Sequence, residues 1–403
     1  MFVNPLNPSP QGNIFGNNAF ISPYKQPSDM IPRSKLPENT LPRYLNYIAD
    51  YTGCGHWRML WPEHVMNSYR HCVMQSSTVM VSDPKYFIDV NCIRVQRQAT
   101  PGQEKYLHFL KEHTNARIIY EIDDVCIGKD IPNYNAFKDA FVSDETIGAI
   151  KRMMEFCDEM TVVSEQMKQY FLKETNQKNI TVIPNYPPRF WIGNLYDTKK
   201  ISQRYDKTRK KPRILYAGSS THFDIHQKNN HLDDFSHVMQ SIINNIDKFT
   251  WVFVGGLPTQ LKKYVDSGQI EFHKWSHLLD YPYYIDSLNI NAAIIPLADN
   301  IFNRCKSDIK YLECSALGIP ATCQDIGVYS QCKHLFTTGD QMIDNIIKIL
   351  STKKEYMNIC DKNYKNTTAK WLENEPNRRK YCELYQYEYG SPDRVNINKL
   401  NDI

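Results

Sequence analysis

The chain has 403 residues, 41% of them hydrophobic, which suits two packed domains and excludes a disordered polypeptide. Lysine and arginine number 48 against 44 acids, and a net charge of +4 is too small to mark a nucleic-acid binder by itself. No apolar run approaches the roughly 18 residues of a membrane span, and the start, Met1 to Pro5, has no basic patch followed by an apolar block, so no signal peptide is expected. The 11 cysteines lack zinc-ligand spacing, both at Cys54, Cys72 and Cys92 and at Cys305, Cys314 and Cys323. Reduced thiols and a cytoplasmic location are the expectation.

Residues 1–40 are rich in Asn, Pro and Ser and read as an irregular arm. Alternation then begins. Tyr44 to Tyr51 reads as a strand, and Gly53-Cys54-Gly55-His56-Trp57-Arg58 as a loop before a helix toward Tyr69. Short strands are expected at Thr78–Ser82 and Cys92–Gln96. Thr100-Pro101-Gly102-Gln103 has the cap, proline and glutamine of a helix start. Ala116 to Ile122 is a buried strand, followed by a helix from Ser143, a strand at Glu159–Val163, a helix capped by Ser164 and a strand at Ile180–Ile183. Pro184-Asn185-Tyr186-Pro187-Pro188 breaks the rhythm, and it restarts at Arg213. Strands follow at Arg213–Ala217, Thr250–Val254, near Ile270, and at Ala292–Leu297 and Ile319–Thr322, with helices over His231–Asn245, Leu278–Leu288 and from a Ser307 cap to Leu317. Alternating strands and helices imply parallel sheets with right-handed crossovers. The expected fold is α/β, with two Rossmann-like doubly wound domains facing a cleft. The divisions are an arm at 1–40, an N-terminal acceptor domain at 41–190, a basic linker at 191–212, a C-terminal nucleotide domain at 213–375 and a helix and tail at 376–403.

Ligands in such sheets bind at the carboxyl ends of strands, and the candidate residues fall there. The stretch Phe302 to Glu313 follows a strand and opens a helix, whose free N–H groups suit an anion. Lys306 and Ser307 sit at its start, and Glu313, two turns in, can accept from two ribose hydroxyls. The alternative is a capped surface helix with a Lys310–Glu313 pair. Tyr120-Glu121-Ile122-Asp123-Asp124 ends a buried strand. Asp123 or Asp124 can position a sugar hydroxyl or accept a proton, or Glu121 and Asp123 can form a metal-binding pair, or the acids can cap the next loop. Gly53 and Gly55 allow close backbone approach. Arg58, Arg94 and Arg97 are candidates for phosphate or an acidic acceptor, against a surface or ion-paired role. From Lys199 to Arg213 eight basic residues meet one acid, Asp206, and read as a solvated linker or a phosphate-facing strip.

Asn303 to Tyr329, with Glu313, Ala316, Gly318-Ile319-Pro320 and Ile326-Gly327-Val328-Tyr329, resembles the donor-binding motif of GT-B glycosyltransferases of family 4. Pro184-Asn185 resembles the dipeptide that closes their N-terminal domain, and Gly218 matches their glycine turn. The resemblance implies a glycosyltransferase using a nucleotide diphosphate sugar, with retention at the anomeric carbon and no required cofactor or metal. It gives Glu313 the ribose and Gly218 the turn against the donor; Ser219, Lys306 and Ser307 are read as further donor ligands, and His222 as a donor ligand or a loop histidine. It places Asp123 and Asp124 where the family carries a sugar-contacting histidine. Two departures stand out: the family's first glutamate falls on Cys305, and its basic pair after the glycine turn is missing, with Lys306 and Lys228 as the nearby cations.

The Asn-, Lys- and Ile-rich style and the loop bearing Trp57 and Trp61 are similar to glycosyltransferases of large bacteriophages, some of which modify hydroxymethylated pyrimidines in DNA. On that reading duplex DNA is a partner, and the host cytoplasm is the location. A polysaccharide or lipid-linked saccharide acceptor, a nucleotide-sugar epimerase and a non-catalytic binding protein are the alternatives.

Overall fold

The structure is a computed structural model that describes residues 41–87, 90–224 and 233–385. The arm expected at 1–40, Lys228, the start of the helix expected from His231, and the tail beyond residue 385 lie outside the described residues. The chain divides into two units. One is built from the chain up to Asp123, Asp144–Pro184 and the chain from Leu372; the other from Asp124–Ser143 and Asn185–Trp371.

The first unit holds a six-stranded sheet, β1 (Arg43–Tyr47), β2 (Val73–Ser77), β3 (Val90–Gln96), β4 (Arg117–Glu121), β5 (Glu159–Val162) and β6 (Ile180–Val182), in the order β2-β1-β3-β4-β5-β6. Every pairing is parallel. Parallel strands are covered on both faces, so they read as continuous apolar runs, as in the buried Ile118, Ile119 and Tyr120 of β4. The helix Pro101–His113 starts in a full capping box of Thr100 and Gln103, and Ser164 caps Glu165–Glu174. The helix Glu375–Leu384 also belongs here. After it, Tyr385 stacks on Tyr44 at 4.6 Å and donates to Asn46, while Arg117 donates to the carbonyl of Leu384.

The second unit holds β7 (Arg213–Gly218), β8 (Thr250–Gly255), β9 (Ile270–His273), β10 (Ala292–Ile295), β11 (Ala321–Gln324) and β12 (Leu335–Phe336). Their order is β12-β11-β10-β7-β8-β9, again all parallel. Its core is aromatic: Tyr216 meets Phe235 edge to face at 4.6 Å, beside Phe223 and Phe253.

Four expectations are corrected. The second strand lies at Val73–Ser77, not Thr78–Ser82, because Val73 pairs with Arg43 and the Ser77 hydroxyl bonds Val79 in a turn that ends the strand. The helix expected to reach back to His231 begins only at Met239, since the Asp233 carboxylate binds the Phe235 amide and the Ser236 hydroxyl in a turn. The segment expected as a linker at 191–212 contains the helix Thr198–Thr208, capped by Asp197. Ile201 and Tyr205 enter the second unit's core, and buried Arg204 donates to Gly318 O at 2.6 Å and to Tyr356 at 3.1 Å. Finally, 124–143 groups with the second unit and the chain from Leu372 with the first, unlike the expected 41–190 and 213–375 division.

Candidate functional site

In the second unit, the carboxyl ends of β7, β8 and β10 bring polar groups together. β7 ends at Gly218, where a Cβ would lie 2.8 Å from Lys310 Nζ. β8 ends at Gly255, whose φ of +89° suits glycine and whose Cβ would strike the Trp275 ring. The Gly256 amide donates to Gly218 O at 2.7 Å, tying the two turns together. Ser219 is exposed, with its hydroxyl 2.6 Å from that of Thr221.

His222 lies inward from this turn. Its Nδ1 is 2.5 Å from Asp234 Oδ2, and its Nε2 is 3.2 Å from Lys310 Nζ. Burial, then the Lys310 charge, push the imidazole down to about 4, so it is neutral near pH 7. Asp234 is buried, and burial alone raises a carboxyl; the His222 hydrogen bond, the Ala298 amide and the Tyr134 hydroxyl outweigh that and hold it low. Its Oδ1 also accepts from Asn303 at 2.7 Å. Both ring nitrogens are thus engaged within the unit, Nδ1 by Asp234 and Nε2 by Lys310.

Lys310 comes from the helix Ile309–Ala316. Its ammonium stands 5.0 Å from the centroid of the Tyr216 ring, and no carboxylate forms an ion pair with it among the described residues. Burial, followed by repulsion from Lys306, brings its pKa down to about 8. Lys306 pairs with Asp124 at 3.4 Å and lies over the Phe302 ring. Desolvation pushes Glu313 up to about 8, against the opposing pull of the Lys310 charge and the nearby Tyr281 hydroxyl. Tyr281 stacks under Trp275 at 5.4 Å, and Trp275 is 52% exposed. An aromatic face, a carboxyl and two ammonium groups are thus presented by the segments that follow β9 and β10. Ser307 does not cap the helix: Asp308 takes that position without a side-chain cap, and the Ser307 hydroxyl accepts from Asn185 at 2.9 Å.

The first unit treats its candidates differently. Arg58 and Arg94 are fully buried and both bind Glu121, Arg58 Nε at 2.5 Å. Thr161 donates to the same carboxylate, while Ile183 O and Arg58 O accept from Arg58 and Arg94 respectively. Burial raises Glu121, but the two guanidinium groups outweigh it and hold it ionised. This corrects the expectation of Arg58 and Arg94 as phosphate or acceptor ligands, and it leaves Glu121 committed to arginines rather than to a metal pair with Asp123. Arg97 is bound to Asp50 and lies 3.6 Å from Asp123. Asp50 also accepts from Thr52 and the Gly55 amide, so Gly55 serves the turn at Asp50, where a Cβ would overlap the Asp50 carbonyl; Gly53 meets no such neighbour. Asp123 and Asp124 therefore each face a cation, Arg97 and Lys306.

Of the basic strip, Arg204 is buried and Arg213 forms a paired contact with Glu271. Lys207, Lys210 and Lys211 are exposed. Sequence reasoning missed Asp234, Tyr134, Trp275 and Tyr281, and it saw Lys310 only as a surface partner of Glu313. The one signal available was that no basic pair follows the glycine turn.

No protein-family model and no curated protein sequence matches the chain. Among the described residues, no helix is long and apolar enough to cross a membrane. Solved structures do match in fold. The chain is similar to Anabaena HepE, solved with UDP and glucose, at 10% identity over 86% of this chain and 99% of that one, with a TM-score of 0.55. It is also similar to TarM, at 12% identity over 76% of this chain and a TM-score of 0.50, and it spans 56% of TarM's length. A TarM structure from S. aureus holds fondaparinux, alpha-GlcNAc-glycerol and UDP. With two parallel six-stranded sheets, each in its own α/β unit, the fold is that of the GT-B glycosyltransferases.

Proposed function

We propose that the chain is a glycosyltransferase that moves a sugar from a nucleoside diphosphate sugar to an acceptor hydroxyl. The observation that carries this is the meeting of Lys306 and Lys310 at the strand ends of the second unit, beside Glu313 and Trp275. Two ammonium groups that repel each other are relieved by a diphosphate, and their attraction to it grows as the sugar leaves and charge develops. Glu313 faces the ribose hydroxyls. Trp275, stacked on the Tyr281 that neighbours Glu313, supplies a flat face for the base next to that ribose.

Asp124 anchors Lys306 rather than acting as a free base, and Asp123 is held by Arg97. The fold likeness to proteins solved with UDP and UDP-glucose makes uridine nucleotides the first donors to test. With lysines carrying the phosphate charge, turnover proceeds without a required metal, and the family resemblance supports retention of anomeric configuration. Calorimetry with UDP is the direct test on the full chain; no binding at millimolar UDP overturns the reading. Incubation with a panel of UDP-sugars and saccharide, lipid-linked and hydroxymethylated duplex-DNA acceptors, read by mass, identifies the acceptor, and a changed sugar without transfer marks an epimerase. Activity should persist in EDTA. Loss on chelation with recovery in magnesium or manganese would remove metal independence.

A further inference from the structure

Lys310 is the only lysine among the candidates whose ammonium is held by a neutral acceptor, and the path that holds it runs back into the core. Asp234 is ionised and saturated: Tyr134 donates to Oδ1 at 2.7 Å, Asn303 at 2.7 Å and the Ala298 amide at 2.8 Å. An ionised carboxylate cannot donate, so the proton between it and His222 sits on Nδ1. The neutral imidazole then presents the Nε2 lone pair to Lys310, which donates one of its three N–H groups there. The aromatic face of Tyr216 lies on one side, and the absence of a side chain at Gly218 leaves room on the other. Two N–H donors remain.

Resting on the glycosyltransferase reading, we propose that His222 and Asp234 are positioning residues, and that they fix the tautomer that holds the Lys310 ammonium at the glycine turn as the diphosphate ligand. This supplies, from a helix 88 residues downstream of His222, the positive charge that the sequence lacks after Gly218. The arrangement is directional. Asp234→Asn presents an amide N–H to Nδ1, moves the ring proton to Nε2 and points a donor at the ammonium, so Lys310 is repelled from its place with almost no change in volume. His222→Gln keeps an acceptor within reach of Lys310, whereas His222→Leu removes it.

The experiment measures UDP and uridine binding by calorimetry on the full chain and its variants, with ligand-free thermal unfolding as the check on folding. Lys310→Met and Asp234→Asn should each weaken UDP about tenfold or more, the scale of one charge-assisted hydrogen bond, and leave uridine unchanged. His222→Leu should follow them, and His222→Gln should recover most of the loss. Equal loss for UDP and uridine would show that the network only shapes the unit and would overturn the proposal. Wild-type UDP affinity in Lys310→Met would do the same. If Asp234→Asn does not fold, the contrast of His222→Gln with His222→Leu decides alone. A wild-type chain that binds neither ligand instead fails the glycosyltransferase reading itself.

Discussion

Each unit holds a charged cluster beside its sheet, and the two clusters end differently. In the first, Glu121 is closed on all sides by Arg58, Arg94 and Thr161, and the arginines spend further donors on backbone carbonyls. In the second, the chain from Asp234 through His222 runs outward and ends in a lysine with donors left over. Burial of charge is common to both, so burial does not mark function. What distinguishes the second cluster is an end that a ligand can complete.

The difference is sharpest in stability. Glu121→Gln leaves two guanidinium groups in the interior without a countercharge, and should cost about 3–5 kcal/mol in urea unfolding. A change under 1 kcal/mol would mean that the first cluster is not closed as described. In the second unit, Glu313→Gln should instead weaken UDP by about 1–3 kcal/mol, and Trp275→Ala by about 1–3 kcal/mol through lost base stacking. Trp275→Ala should barely move the melting temperature, since the ring is half exposed. Full UDP affinity in either variant would take that residue out of the nucleotide site.

Glu313 also has a pH signature. Its folded value, about 8, lies above the ordinary 4.5, so between these values the native state keeps a proton that the unfolded chain has lost. Wild-type stability should therefore fall relative to Glu313→Gln as pH rises from about 4.5 to about 8, by on the order of 1 kcal/mol after solvent screening. A pH-independent gap between the two melting curves would contradict this. The smallest effect belongs to the exposed basic face. Replacing Lys207, Lys210 and Lys211 together by Ala should stay within about 0.5 kcal/mol in stability and leave UDP affinity intact, as calorimetry can check.

Local signals in the sequence read well. The Thr100 and Gln103 box and the Ser164 cap appear where the sequence puts them, because each depends on neighbours a few residues apart. Of the proposed site, the sequence offered Gly218, Lys306 and Glu313: Gly218 ends β7, and the other two follow β10 in the same unit. Partnerships across the sheet were not legible. Arg58 meets Glu121 over a separation of 63 residues, and Arg94 meets it over 27. Whether an arginine at the end of a strand points to solvent or to the interior depends on register, and one residue of slip reverses it. Nor could the sequence reveal that Tyr134 and Asp234, 100 residues apart, share a hydrogen bond.

The helix at Glu375–Leu384 belongs with strands that precede it by about 190 residues or more. A ribosome emits these strands first, and at roughly 5–20 residues per second it needs on the order of 10–40 s to travel from Pro184 to Leu372. Throughout that interval Tyr44, Asn46 and Arg117 wait for Tyr385 and Leu384. The second unit has its last residue, Trp371, just before the first unit receives its final piece. The unit begun first during synthesis is thus the one that closes after the other.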